Sequence, residues 1–330
     1  MQNPKISIII PIYNVSEYLE KNLHALFNQT LPELEYIFID DASKDGSHEI
    51  LEKIIGFYPH RASNIKVIRH KFNRGISFTR QEGLSLSTGD YIIHCDSDDW
   101  PEHNMYELLY EKAVAENADI VICDYKKITD STEIFKQKPE ELTACSVLRQ
   151  FSYTNENSLI GAVWNKLIRK EIAKSSAFTE GIEYCEDVLY LMSLLKNKPK
   201  ITYLDKPLYN YLTRTGSLVT RKGKDALLSD LKLFEKLKEL RSETPDSNMR
   251  SAIDNFIGVT LCSRIFRYDP ETEDINLLKK YQDSIRYNID KSKASIIKAK
   301  GALKINYKFF KWLNTVVPRY KKALKNFFFR

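Results

Sequence analysis

Apolar and polar positions alternate on two length scales through the first third of the chain. Lys5–Pro11 is a short β-branched apolar run ending at a proline, the pattern of a buried strand. From Ser16 to Gln29, apolar Leu19, Leu23, Leu26 and Phe27 share one helical face, with Ser16 placed as N-cap. Glu35–Asp40 predicts a second strand, His48–Phe57 a second helix, Ile65–Arg69 a third strand and Ser77–Leu86 a third helix. Tyr91–Cys95 predicts a fourth strand. Pro101 is placed to open a helix that runs to about Glu116, and Asp119–Asp124 predicts a fifth strand.

Strands and helices that alternate in this way argue an α/β fold with a mostly parallel sheet flanked by helices. In such sheets ligands sit beyond the carboxyl ends of the strands. Polar residues collect there: Tyr13 and Asn14, then Asp40 and Asp41, then Asn73, then Asp96 to Asp99. After Asp124 the alternation weakens. Residues 127–145 look like a loop or insertion, 146–215 are mixed with a Tyr-rich segment at 203–213, and from about 224 the pattern is helical.

Charge divides the chain further. Its 330 residues carry a net charge of +6, yet residues 291–330 hold twelve Lys/Arg and no Asp/Glu. The first 290 residues therefore hold 38 basic and 44 acidic side chains, a mildly acidic body with a basic tail. Such a tail seeks a polyanion. Its interleaved Lys, Phe, Trp and Leu suit an interfacial helix on anionic lipid, and equally a helix packed on the body with a solvated basic face. No nucleic-acid motif is present. The five cysteines are widely spaced without a CxxC pair, which speaks against a zinc site or disulfide framework and for reduced thiols in a cytoplasmic setting. The N-terminus lacks the marks of a signal peptide, and no apolar run approaches the ~20 residues that span a bilayer.

Five segments carry candidate chemistry. DSDDW, Asp96–Trp100, places three carboxylates in four positions after an apolar strand. Hard oxygen ligands of this kind suit Mg²⁺ or Mn²⁺ shared with a diphosphate, and an acidic turn with an N-cap reads equally well from the residues alone. DDASKDGS, Asp40–Ser47, offers carboxylates to a nucleobase or ribose, with Asp41 the better ligand because Asp45 and Gly46 serve the turn. KFNRGISFTRQEG sets Asn73 and Arg74 in a loop and Arg80 on the next helix. YCEDVLY puts Glu186 and Asp187 in an apolar setting, as a general base or as acids at a helix N-terminus. YNYLTRTGSLVTR, Tyr209–Arg221, is a phosphate-binding lid or a plain surface loop.

In this order, SIIIPIYN, DDASKDGS, NRGISFTRQEG, TGDYIIHCDSDDW and the later CED resemble family-two inverting glycosyltransferases with the GT-A fold, over roughly residues 4–220. The resemblance implies a catalytic domain at 1–220, with a nucleotide-binding half to about 125 and an acceptor half from about 126. A helical region at 221–330 follows. It implies that Pro11, Tyr13 and Asn14 line the nucleotide pocket and that Asp41 contacts the base, usually uracil, with Asn73 and Arg80. DSDD looks like the DxD motif: Asp96 faces the ribose, Ser97 lies between, and Asp98 holds Mn²⁺ or Mg²⁺ on the diphosphate. Asp187 is the implied base, Arg214 and Ser217 contact the diphosphate, and Asp99 and Glu186 are assisting carboxylates. WNKLIRKE, Trp164–Glu171, resembles members that build bacterial surface polysaccharides. The implied partners are a nucleotide-sugar donor and a glycan or lipid-linked acceptor. The implied place is cytoplasmic, at the inner face of the cell membrane if the tail docks there, and the helical end could support a homo-oligomer.

Rival classes fit less well. A Rossmann oxidoreductase needs GxGxxG after the first strand, where PIYNVSEY has no glycine. A sugar nucleotidyltransferase would show a Gly-rich basic loop there. A nucleotide-sugar-binding module without turnover is opposed by DSDD and the Glu186–Asp187 pair.

Overall fold

A computed structural model describes residues 3–151, 158–214 and 224–264. The expected contact of Ser217 and the basic tail at 291–330 lie outside the described residues. The chain divides into two compact units, Met1–Thr220 and Arg221–Arg330.

The first unit is built on strands β1 (Ile6–Ile12), β2 (Leu34–Asp40), β3 (Ile65–Arg69) and β4 (Tyr91–His94), joined by helices α1 (Ser16–Phe27), α2 (Ser47–Ile55) and α3 (Ile76–Leu86). β1 pairs in parallel with both β2 and β4, and β2 with β3. Every residue of β1 and β2 is buried, and their largely apolar sequences suit strands covered on both faces, with the polar Ser7 and Glu35 bonded to each other. The chain runs outward from β1 through β2 to β3, then returns to the other side of β1 as β4. That reversal leaves a crevice beyond the carboxyl ends of β1 and β4, where α/β sheets hold ligands. α3 lies close over β1 because Gly83 has no Cβ: a methyl there would stand 2.3 Å from Cγ2 of Ile9.

Next come β5 (Trp100–Pro101), α4 (Met105–Ala115), β6 (Ile120–Ile128), β7 (Thr132–Phe135), α5 (Ala144–Gln150), β8 (Lys166–Arg169), α6 (Lys170–Ala173), α7 (Glu186–Leu195) and β9 (Ile201–Leu212). β8 enters antiparallel between β4 and β6, and β9 runs parallel to β6. The sheet order is β3-β2-β1-β4-β8-β6-β9-β5, with β7 paired to β6. The pairings among β1 to β4 are therefore all parallel, and every antiparallel pairing involves a strand from β5 onward. Trp164 stacks on Tyr209, with ring centroids 4.3 Å apart, and on Tyr211 at 5.7 Å.

Three local expectations need correction. Pro101 does not open a helix. It lies in β5, where Trp100 and Pro101 pair with Asn210 and Tyr209, and the helix begins four residues later at Met105. Ser16 is the first helical residue and not the cap of α1. The orphan N–H groups at the start of that helix are satisfied from the neighbouring loop instead. The amides of Asn14, Val15 and Ser16 donate to Ser43 Oγ, Ser47 Oγ and Asp45 Oδ2 at 3.1, 3.0 and 2.9 Å. Residues 127–145, read as a loop, contain the end of β6 and all of β7.

Among the described residues, the second unit contains α8 (Lys224–Glu243) and α9 (Ser247–Arg264), joined at residues 244–246. Leu227, Leu233, Phe234 and Leu237 of α8, and Met249, Ile253 and Ile257 of α9, are buried. Arg241 bonds Asp254 at 2.5 Å across the pair. No helix among the described residues is long and apolar enough to cross a membrane.

Candidate functional site

At the exit of β2, Asp40 and Asp41 do different work. Asp40 is fully buried. It accepts the Ser43 amide at 2.8 Å and lies 3.3 Å from both Arg69 and His48, so it fixes the turn. Asp41 accepts the amides of Arg74 and Gly75 at 2.8 and 2.9 Å, and Asn73 Nδ2 reaches its carbonyl at 3.4 Å. His70 stands between Asp41 and Glu82, 2.7 Å from each. Both ring nitrogens face carboxylates, which only accept, so the imidazolium is the form that satisfies both. Burial lowers the proton affinity of His70, and the two carboxylates more than restore it, leaving the pKa raised. Asp41 is thus a buried anchor for the 70–75 loop. At the exit of β1, Pro11 is buried, while Tyr13 is 39% exposed and faces solvent. Asn14 sits in the left-handed region at φ 51 and accepts the Lys44 amide at 2.9 Å, joining the first two strand exits.

The DSDD segment follows β4. Asn22 of α1 holds its backbone by donating to the carbonyls of Asp96 and Asp99 at 3.1 and 2.8 Å. The Asp96 amide donates to the Tyr209 hydroxyl at 3.0 Å. Asp96 and Asp98 present part-exposed carboxylates, each held by one guanidinium: Arg80 at 2.8 Å from Asp96 and Arg214 at 2.6 Å from Asp98. Tyr18 lies 5.2 Å from the Arg214 guanidinium. Burial and then Asp96 push the Asp98 carboxyl upward, against Arg214. Ser97 is buried between the two acids. Asp99 differs from the expectation of an assisting carboxylate. It is 1% exposed, and Oδ1 accepts the Leu212 amide at 2.7 Å, so it fastens the end of β9. Burial and its two acidic neighbours push its pKa well up.

Glu186 and Asp187 open α7, after Cys185 turns the chain in the left-handed region at φ 58. Asp187 Oδ1 accepts the amide of Val188 at 2.8 Å. Glu186 bonds Arg80. Burial raises the pKa of both acids, and Arg80 opposes that rise in each. Arg80 is 3% exposed and bridges Asp96 to Glu186. It joins the strand-exit acids to the acids of α7.

Several site residues carried no readable signal. Lys166, within WNKL, is fully buried and donates to the carbonyls of Ile160 and Ala162 and to Asn165 Oδ1 at 2.9, 2.8 and 2.7 Å. His94, at the end of β4, is buried with no hydrogen-bond partner on either ring nitrogen, and burial lowers its pKa well below the usual value. Asn22 sits on an apolar helical pattern, and Tyr209, read as the start of a lid or surface loop, lies in β9. Only the three-dimensional approach of α1 and β9 to the DSDD turn shows their role.

A three-layer α/β unit with acids at successive strand exits and a second acidic pair opposite is the GT-A architecture. TarS of S. aureus, residues 1–349 in complex with UDP-GlcNAc, shares this fold with a TM-score of 0.66 at 19% identity, over 86% of this chain and 80% of that one. The sequence profile of Glycosyl transferase family 2 matches residues 7–177, and the chain belongs to that family. The cholesterol galactosyltransferase of Borreliella burgdorferi is 33% identical over 227 residues, 65% of this chain and 62% of that protein. The uncharacterized glycosyltransferase EpsJ of Bacillus subtilis is 32% identical over 232 residues, 68% of this chain and 65% of that protein. The chain thus matches a little under two thirds of the length of these relatives.

Proposed function

We propose that the chain is an inverting glycosyltransferase that moves a sugar from a nucleotide-diphosphate donor, a UDP-sugar, to an acceptor hydroxyl. The observation that carries this reading is Arg80, which ties Asp96 on the donor side to Glu186 beside Asp187. The residues proposed to hold donor and acceptor thereby share one buried cation. Asp187 takes the proton from the acceptor hydroxyl. The acceptor oxygen attacks the anomeric carbon from the face opposite the diphosphate, and the configuration inverts as the nucleoside diphosphate leaves. The raised pKa of Asp187 suits a base, since proton affinity nearer neutral pH makes proton transfer more favourable. Arg214 adds positive charge on the diphosphate side.

The donor set fits a divalent cation. Asp96 and Asp98 present part-exposed carboxylates just beyond the end of β4, the hard oxygen donors such a cation takes. Asp98 would hold Mn²⁺ or Mg²⁺. Among the described residues no three acidic, His or Cys side chains converge as a ready-made cage, so donor oxygens and water would complete the coordination. When bound, the cation would offset the charge growing on the leaving diphosphate.

The UDP assignment is supported by the fold neighbour described in complex with UDP-GlcNAc. A lipid or lipid-linked acceptor is supported by the relative named for cholesterol galactosylation, and a role in bacterial surface-polysaccharide synthesis by the resemblance of WNKLIRKE. The basic tail would then bring the enzyme to anionic lipid at the inner face of the membrane. The test is a panel of UDP-, GDP- and dTDP-sugars with Mn²⁺, read as nucleoside diphosphate release and as binding heat. One donor bound and turned over in wild type, bound but not turned over in Asp187→Asn, and weakened in Asp98→Ala is the expected pattern. If none of these donors bound with metal present, the reading would be wrong.

A further inference from the structure

Lys166 is a charge that the proposed reaction does not use. Its ammonium is buried, and its three N–H bonds go to two carbonyls and one amide oxygen. Three acceptors call for three donors, which only the charged ammonium supplies. No carboxylate touches it among its recorded partners, and burying an ammonium without one is costly. A cation kept in such a place calls for a reason.

The two carbonyls flank Gly161. Gly161 lies against Val188, so closely that a Cβ there would stand 2.5 Å from Val188 Cγ2. Val188 follows Asp187 and gives its amide to the Asp187 carboxylate. Lys166 therefore braces the segment at 160–162 that packs on the first turn of α7. Asn165, which accepts from the ammonium, is itself fixed to β6 through the Cys123 carbonyl at 2.8 Å. The brace runs from the sheet to the acids.

We propose that Lys166 is a positioning residue for Asp187: its ammonium fixes the 160–162 segment beneath the start of α7 and keeps a positive charge within electrostatic reach of the Asp187 carboxylate. The inference rests on Asp187 being the base. The charged groups that act on Asp187 are Arg80 on α3, Asp96 after β4, Glu186 on its own helix and Lys166 on β8. Those that act on Lys166 are Asp187 and Cys123 on β6; burial outweighs both and lowers its pKa to about 7, so the ammonium is charged across the acid limb below that value. Lys166 favours the ionised form of Asp187, so its loss drives that carboxyl further up.

The test is kcat against pH for wild type, Lys166→Met and Asp187→Asn, with donor KM and thermal unfolding measured alongside. Lys166→Met is expected to lower kcat about tenfold at neutral pH, less than the ~10²–10⁴ of losing the base itself. It is also expected to leave donor KM within about twofold and to move the acid limb of the profile to higher pH by about one unit. An acid limb at its wild-type position overturns the proposal, even with kcat lowered, because a brace without charge would not move it. Should Lys166→Met not fold, Gly161→Ala is the second probe. It keeps the charge but displaces the turn, and is expected to lower kcat with donor KM retained; unchanged kcat overturns the proposal. If Asp187→Asn turns over normally, the base assignment itself fails, a result distinct from either outcome for Lys166.

Discussion

Replacing Arg80 with methionine removes the guanidinium between Asp96 and Glu186 while keeping much of its stem volume. Asp96 retains partial contact with water, its side chain being 27% exposed, so its charge can be resolvated. Glu186 cannot, at 9% exposed, and the penalty falls there. Removing one partner of a buried ion pair costs about 3–5 kcal/mol, and with solvent relieving one of the two acids the lower end applies, about 3 kcal/mol. In a unit of this size each kcal/mol lowers Tm by about 2–4 °C, so the expected loss where Glu186 is ionised in wild type is about 6–12 °C. The pH dependence follows from the direction of the shift. Burial already raises Glu186, and without Arg80 it rises further. A carboxyl raised above its unfolded value leaves the folded state undisturbed while protonated. It subtracts stability as pH climbs from the unfolded value, about 4.3, through the folded one. Wild type loses the same stability up to its own folded value, about 8, so the Tm deficit of Arg80→Met relative to wild type should be small at pH 6.5 and large at pH 9.5, read by circular dichroism. A deficit equal at both pH values, or below about 2 °C at pH 9.5, would refute the bridge as a buried electrostatic element.

Further expectations follow from other contacts. Asp187→Asn should lower kcat by about 10²–10⁴, the usual worth of a general base, with donor affinity by calorimetry unchanged. The wild-type acid limb of kcat should lie above that of an ordinary aspartate, because burial raises Asp187 and activity needs it ionised. Gly83→Ala should cost about 1–3 kcal/mol in denaturant unfolding, since its methyl would press on the branched Cγ2 of Ile9 and α3 would have to lift from β1. His70 has a raised pKa, so its bonds to Asp41 and Glu82 stabilise fully below about 6.5 and are lost as pH rises through its folded value. His70→Leu should remove that alkaline loss, seen as a flatter Tm profile between pH 6.5 and 9.

The strands that frame the crevice were legible because β1, β2 and β4 are buried on both faces. That condition makes ISIIIPI and LEYIFID mostly apolar, with Ser7 and Glu35 bonded to each other, and the chain turns polar where each strand emerges. The site's carboxylates were visible for the same reason, as acids directly after such runs, but not that Asp40, Asp41 and Asp99 among them would be taken up by turns and strand ends. What distant segments decide was not legible. Pro101 has the local marks of a helix start, but β9 captures Trp100 and Pro101 as a short strand. Arg80 looks like a solvated helical arginine until Glu186, 106 positions later, is folded against it. Ser16 has the identity of an N-cap, yet Ser43, Asp45 and Ser47 from another loop reach the helix start first. Lys166 reads as the polar end of WNKL, and only the carbonyls of residues 160 and 162 explain its burial.

The turn that caps α1 also makes the first two strand exits a single reporting unit. The amides of Asn14, Val15 and Ser16 exchange with solvent only when the side chains of residues 43–47 let go. Hydrogen–deuterium exchange at those three amides is therefore a gauge of a turn in which they do not lie. A nucleotide resting on the second exit would slow the clock of the first, and its arrival could be timed from a helix it need never touch.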